Sequence, residues 1–155
     1  MAFVDLLEQL AEEFGTDLRP DLHGICLLLI NEKLKVQLEV DVTGENLLMA
    51  CLVSELPPGR FRENILKNAL KANHLIEENF GTLSYTGPDN ALVLSTNLLM
   101  HGLTGRELYE FLSIFVGRAT AWQKAIDEGH PYPLDSGEVP QPHSSQKIPL
   151  FGFQE

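Results

Sequence analysis

The chain is poor in cysteine, with only Cys26 and Cys51 among its 155 residues. Two thiols cannot supply a four-cysteine zinc site, and they are too few for a disulfide framework. Basic residues are also scarce, 11 against 22 acidic ones, for a formal charge of −11. That balance opposes a phosphate backbone as partner unless the cations cluster tightly. The one basic cluster, Arg60, Arg62, Lys67 and Lys71, is interrupted by Glu63, and Phe61 beside it has core spacing and not that of a stacking platform. No nucleic-acid partner is expected. No apolar run approaches the roughly 18–20 residues a membrane-spanning helix needs. The opening MAFVDLLEQLAEEF carries acids where an export signal carries basic residues. The expectation is a reduced, cytosolic protein without membrane insertion.

Catalytic signatures are missing too. The histidines at 23, 74, 101, 130 and 143 form no HExxH pair, and no GxSxG elbow is present. Gly102 and Gly105 are too sparse for a phosphate-cradling loop. His74 with Glu77 or Glu78 has helical spacing that suits a metal or a proton relay, yet a lone pair of this kind is ordinarily surface decoration. Glu12/Glu13 and Glu77/Glu78 fall on exposed helix faces as solubilising charge. Cys26 and Cys51 sit in apolar strands, where a thiol is a small buried hydrophobe. These absences predict no catalytic residue, no metal, no cofactor and no enzyme.

What is present is an ordered series of periodic segments. Phe3, Leu7, Leu10 and Phe14 recur at helical spacing, and Gly15 supplies a stop. Pro20 ends any continuation by disfavouring helix at Arg19. Ile25–Ile30 is almost wholly apolar and precedes the turn Asn31-Glu32-Lys33. In LKVQLEVD, Leu34, Val36, Leu38 and Val40 alternate with polar residues, so one face is core and the other wet. Leu47–Val53 makes a third strand after a turn at Gly44–Asn46, and three strands joined by tight turns form an antiparallel meander. After Pro57-Pro58-Gly59, the positions Phe61, Ile65, Leu66, Ala69, Leu70, Asn73 and Ile76 trace a second helix. A hairpin follows, Leu83–Thr86 and Ala91–Thr96, turning at Gly87–Asn90, with the apolar run Leu98–Met100 beyond it. Thr104 and Glu107 have capping-box spacing, and Leu108, Phe111, Leu112, Phe115, Ala119, Trp122 and Ile126 form the stripe of a third helix.

The order is therefore α-β-β-β-α-β-β-α, an α+β domain over residues 1–128 with helices packed on an antiparallel sheet. Residues 129–155 hold five of the nine prolines and only Lys147 as a basic residue. They are expected to be a tail without regular structure, whose Ile148, Leu150, Phe151 and Phe153 offer a segment for docking. The first and third strands are apolar on both faces, which leaves open which face the helices cover. A catalytically bare acidic domain with more apolar positions than one core requires points to protein binding or self-association.

The phrases DLLEQLAEEFG, GICLLLINEKLKVQLEVD, LVSELPPG, LKNALKANHL and GTLSYTGPDNALVLS, followed by a closing helix with Phe111, Leu112 and Trp122, give an order that resembles the Tir chaperone family. These are the effector-specific class I chaperones of bacterial type III secretion, and the resemblance spans about residues 3–127. It implies a homodimeric bacterial cytoplasmic protein, a virulence-associated chaperone without enzymatic activity. Such a chaperone binds an extended segment of a secreted effector and keeps it soluble and competent for secretion. By position, the resemblance places client binding at Leu6, Leu10, Leu27, Leu29, Leu48 and Ala50. It places the dimer interface at Ile65, Leu66, Ala69, Leu70, Val93 and Leu94. Expected partners are a second copy, one or more effectors and components of the secretion apparatus. The alternative is the same dimeric fold acting as a regulatory adaptor on a folded partner, and a small enzyme using His74 or Glu78 ranks third. The long proline-rich tail departs from the family pattern.

Overall fold

The computed structural model describes residues 2–75 and 81–134. The chain runs α1 (Ala2–Phe14), β1 (Cys26–Ile30), β2 (Leu34–Val40), β3 (Asn46–Glu55), α2 (Arg60–Leu75), β4 (Thr82–Thr86), β5 (Ala91–Leu99) and α3 (Gly105–Asp127). This is the α+β order expected from periodicity. The strands make one antiparallel sheet in the order β1-β2-β3-β5-β4, so the hairpin joins the meander through β5.

The hairpin's second strand is longer than its alternation suggested. Leu98 and Leu99 do not form a separate apolar run: they continue β5 and pair with Leu47 and Asn46. The reason lies in the partner, because a ten-residue β3 leaves its first residues unpaired unless β5 extends to meet them. Part of the apolar surplus is thus absorbed at the centre of the sheet.

Local chemistry fixes the turns. Asn31 and Glu32 both adopt positive φ, 54° and 60°, the type I′ arrangement whose twist matches flanking antiparallel strands. Between β2 and β3, Asp41 accepts bonds from Asn46 Nδ2 at 2.8 Å, Thr43 Oγ1 at 2.7 Å and the Gly44 amide at 3.0 Å. The side-chain bonds from Asn46 and Thr43 pull its carboxyl down to about 2. Register is set by this polar knot at one end of β2 and by the left-handed pair at the other.

One face of the sheet carries the core. Cys26, Leu28 and Ile30 of β1, Leu34, Val36 and Leu38 of β2 and Leu47, Met49, Cys51 and Val53 of β3 are buried there in one cluster with residues of all three helices. α3 lays Leu108, Leu112, Phe115, Ala119 and Trp122 against it. Its start bears the expected capping box: Thr104 Oγ1 accepts from the Glu107 amide while Glu107 Oε1 accepts from the Thr104 amide.

α1 crosses the start of α3 at very close range. Gln9 Oε1 accepts the Gly105 amide at 2.8 Å, Arg106 lies 3.4 Å from Glu13, and the rings of Phe14 and Tyr109 meet at 5.3 Å. α2 packs beside β4, where Asn73 donates to the Leu83 carbonyl and accepts from the Leu83 amide, both at 2.8 Å. This side chain imitates a neighbouring strand and closes part of that sheet edge. The tail from residue 135 and the positions Ile76, Glu77 and Glu78 lie outside the described residues.

Candidate functional site

Among the described residues, no helix covers the other face of the sheet. Strand alternation sends Leu27 and Leu29 of β1 onto it, and they are 59% and 56% exposed. Register places Leu27 beside Gln37, Gln37 beside Ala50 and Leu48 beside Glu39, so Leu48 and Ala50, both half-buried, share this surface. It continues through Leu52, Val93 and Leu99 toward β5. A band of aliphatic side chains crosses four strands, interrupted by Lys35, Gln37 and Glu39 on β2. Here lies the rest of the apolar surplus: positions of β1 and β3 that read as apolar on both faces are buried on one side only.

The expected client-binding set is divided by this geometry. Leu27, Leu29, Leu48 and Ala50 lie together on the open face, whereas Leu6 and Leu10 are buried within the subunit's own core. The helical stripe that makes α1 recognisable is the stripe that packs inward, so it is already used. What α1 shows to solvent is a different set. Val4 and Ala11, with Leu18 of the following loop, line an open groove of about 740 Å³ rimmed by Glu8 and Glu12. The exposed flank of the periodic pattern is the signal that finds these residues.

The expected dimer set is divided as well. Ile65, Ala69 and Leu94 belong to the core, while Leu70 is 70% exposed and Leu66 and Val93 are half-buried. Adjacent apolar pairs on α2 therefore serve two neighbours: Ile65 and Ala69 face inward, and Leu66 and Leu70 flank them. On the back of α2, Arg60, Asn64, Lys67, Lys71 and His74 are exposed in a line at helical spacing.

The sheet has two edges of different character. At β4, Asn73 occupies the main-chain groups of Leu83. Among the described residues, β1 has a strand neighbour on one side only, and its other side runs beside Leu27 and Leu29. An extended peptide laid there can satisfy main-chain groups and bury alternate side chains at once.

Ionisable groups inside the domain are tuned by burial, not aligned for chemistry. Burial pushes the Cys51 thiol up to about 12, and it raises Cys26 against a main-chain bond from Arg19, so both stay protonated. Burial lowers Arg118 to about 10. Its Nη1 donates to the Gly81 carbonyl, and Nε and Nη2 have no partner among the described residues. Among those residues no group of three or more His, Cys, Asp or Glu side chains is placed to hold a metal, and no helix is long and apolar enough to cross a membrane.

Among the described residues, a helix-backed antiparallel sheet leaves one aliphatic face bare and one edge open, an arrangement suited to binding protein. The model of the Tir chaperone protein (CesT) family matches residues 5–123, and the chain belongs to that family. No curated relative matches the sequence. Solved structures share the fold. The HopA1–SchA chaperone–effector complex contains a chain 18% identical, with a TM-score of 0.66 over 80% of this chain and 94% of that one. The ExsC–ExsE complex contains one 22% identical, also at 0.66, over 79% and 91%. The Yersinia pestis type III secretion chaperone SycH, in complex with a fragment of YscM2, is matched at 19% identity and a TM-score of 0.59, over 76% and 96%.

Proposed function

We propose that the protein acts as a homodimer in the bacterial cytoplasm, holding an extended segment of a secreted effector soluble and ready for type III secretion. The observation that carries this reading is the bare face: Leu27 and Leu29 stand exposed beside a free strand edge, with Leu48 and Ala50 on the same surface. Client side chains insert among these four residues while client main chain pairs along β1. The groove of Val4, Ala11 and Leu18 extends the path onto α1. The chaperone's work is shielding. Apolar client groups that would otherwise aggregate are covered, and the cost is the entropy of ordering the segment.

A twin subunit covers Leu66 and Leu70, with Ile65 and Ala69 supporting them from within, while Val93 stays on the outer sheet face beside Leu52 and Leu94 in the core. Leu70→Asp leaves each subunit folded, because a residue 70% exposed brings no carboxylate into the core. In the dimer the same carboxylate is buried unpaired, at a cost of several kcal/mol. Light scattering is therefore expected to show a folded species of monomer mass, and an unchanged dimer mass would mean that α2 is not at the two-fold axis.

Client binding is tested by recovering the protein from its native cell. The expected companion is a stoichiometric larger protein in which one short stretch resists limited proteolysis only while the chaperone is bound. A folded companion with no such protected stretch would favour the adaptor instead.

A further inference from the structure

The bare face of the sheet is unusual for a domain that must persist before its client is made. Leu27, Leu29, Leu52 and Leu99 are all exposed there, the β1 pair set apart from the others by Lys35, Gln37 and Glu39, and exposed apolar surface of this extent is normally covered. We propose that residues 147–153 of this same chain, KIPLFGF, lie across the outer face of the sheet when no client is bound and leave it when client arrives. This inference rests on that face being the client surface.

Three observations support this occupant. The first is where the chain emerges. Gln123, near the end of α3, donates to the Val53 carbonyl at 3.0 Å, at the β3 bulge next to Leu52. From the core side, α3 thus reaches main chain at the Leu52 end of β3, where the chain can pass round the end of the sheet, and the last described residues continue with Tyr132 and Leu134 both exposed. The second is reach. Ile148 lies about 14 residues beyond Leu134, a span of up to roughly 46 Å when extended. A five-stranded sheet is only about 19 Å across.

The third is chemistry. In a chain of net charge −11, the segment from Lys147 to Phe153 contains no acid and places Ile148, Leu150, Phe151 and Phe153 within six residues. Lys147 at its head is complementary to Glu39, which lies on the outer face of β2 opposite Leu48. Pro149 has no amide hydrogen to give a strand edge, so the segment is suited to lying over the face through its side chains and not to extending the sheet. Pro149 removes one donor from any main-chain ladder it could join, so a client segment able to pair along the whole of β1 binds more firmly and displaces it.

The test is photocrosslinking in the full chain with benzoylphenylalanine in place of Phe151. Irradiation of the client-free protein is expected to give adducts within one chain to the peptides carrying Leu27, Leu29 and Leu52. Combining Leu27→Glu with Leu29→Glu should lower their yield at least fivefold. Adducts confined to the helices, adducts only between chains in a mixture of light and heavy isotopic copies, or no sheet adduct at all would each overturn the proposal. The client surface is judged separately, by whether the two glutamates abolish capture of the client recovered from the native cell. Loss of capture without sheet adducts removes the tail inference and keeps the client surface; adducts with undiminished capture do the reverse.

Discussion

Gly105→Ala is expected to be the most damaging single-methyl change in the domain. A Cβ on Gly105 would stand 2.4 Å from Gln9 Cβ, 2.7 Å from Gln9 C and 2.9 Å from Leu10 N. Two of these three atoms are main chain of α1, so no rotamer change relieves the contact. The helix must move away from α3. Such a movement breaks the bond from the Gly105 amide to Gln9 and loosens Leu6, Leu7 and Leu10, which anchor α1 in the core. Overpacking of this kind costs typically 1–3 kcal/mol, and the loss of helix packing places the total at about 3 kcal/mol. For a domain of this size that is a fall of roughly 6–12 °C in unfolding midpoint. The same exchange at Gly117 supplies the control. It lies in the same helix with nothing within 4 Å of its added Cβ, so alanine there should stabilise by up to about 1 kcal/mol. Denaturant melts of both variants at one protein concentration check the pair, and equal shifts would mean that the α1–α3 crossing is not as close as described.

Gly105 also marks a boundary of what the sequence discloses. Next to a capping threonine it reads only as the first position of a helix, and nothing in local periodicity indicates that another helix passes within van der Waals contact. The same limit governs the site. β2 alternates cleanly, so its inner face is legible from Leu34, Val36 and Leu38 alone. β1 and β3 carry leucines on both faces, and there alternation identifies a strand without orienting it. Only the pairing of Cys26 with Leu38 and of Met49 with the same residue decides that Leu27, Leu29, Leu48 and Ala50 face outward.

For the helices the ambiguity takes another form. An amphipathic stripe reveals a helix because it is used in folding, and for that reason its strongest members, Leu6 and Leu10 on α1 and Ile65 and Ala69 on α2, are buried within the subunit. Residues left for a partner sit at the flanks of the stripe, as Leu66 and Leu70 do, where periodicity is weakest. Long-range pairing has the same character: β5 reaches Leu99 because β3 is ten residues long, a fact that no window on β5 contains. Element order, the third helix and its capping box depend on neighbouring residues and are legible. Sheet order, close crossings and free surface depend on distant ones.

These distinctions give the second large effect. Combining Leu27→Glu with Leu29→Glu should leave the fold intact and reduce client affinity at least 100-fold. The fold is spared because both side chains already face solvent, and surface changes of this kind usually alter stability by less than about 0.5 kcal/mol each. Position 29 lies opposite Lys35, where a carboxylate gains a cross-strand partner. Client binding has no such compensation. Covering the part of each leucine that is still exposed contributes about 0.9–1.7 kcal/mol, so the two losses together come close to the roughly 2.8 kcal/mol that a 100-fold change represents. The carboxylates would also be desolvated under the client segment, which deepens the loss. Leu6→Glu and Leu10→Glu offer the contrast: both abolish binding only by unfolding α1 from the core, visible as lost helicity in circular dichroism. Full client binding by the Leu27/Leu29 double variant at wild-type stability would remove the outer sheet face from the client path and leave the α1 groove to carry it.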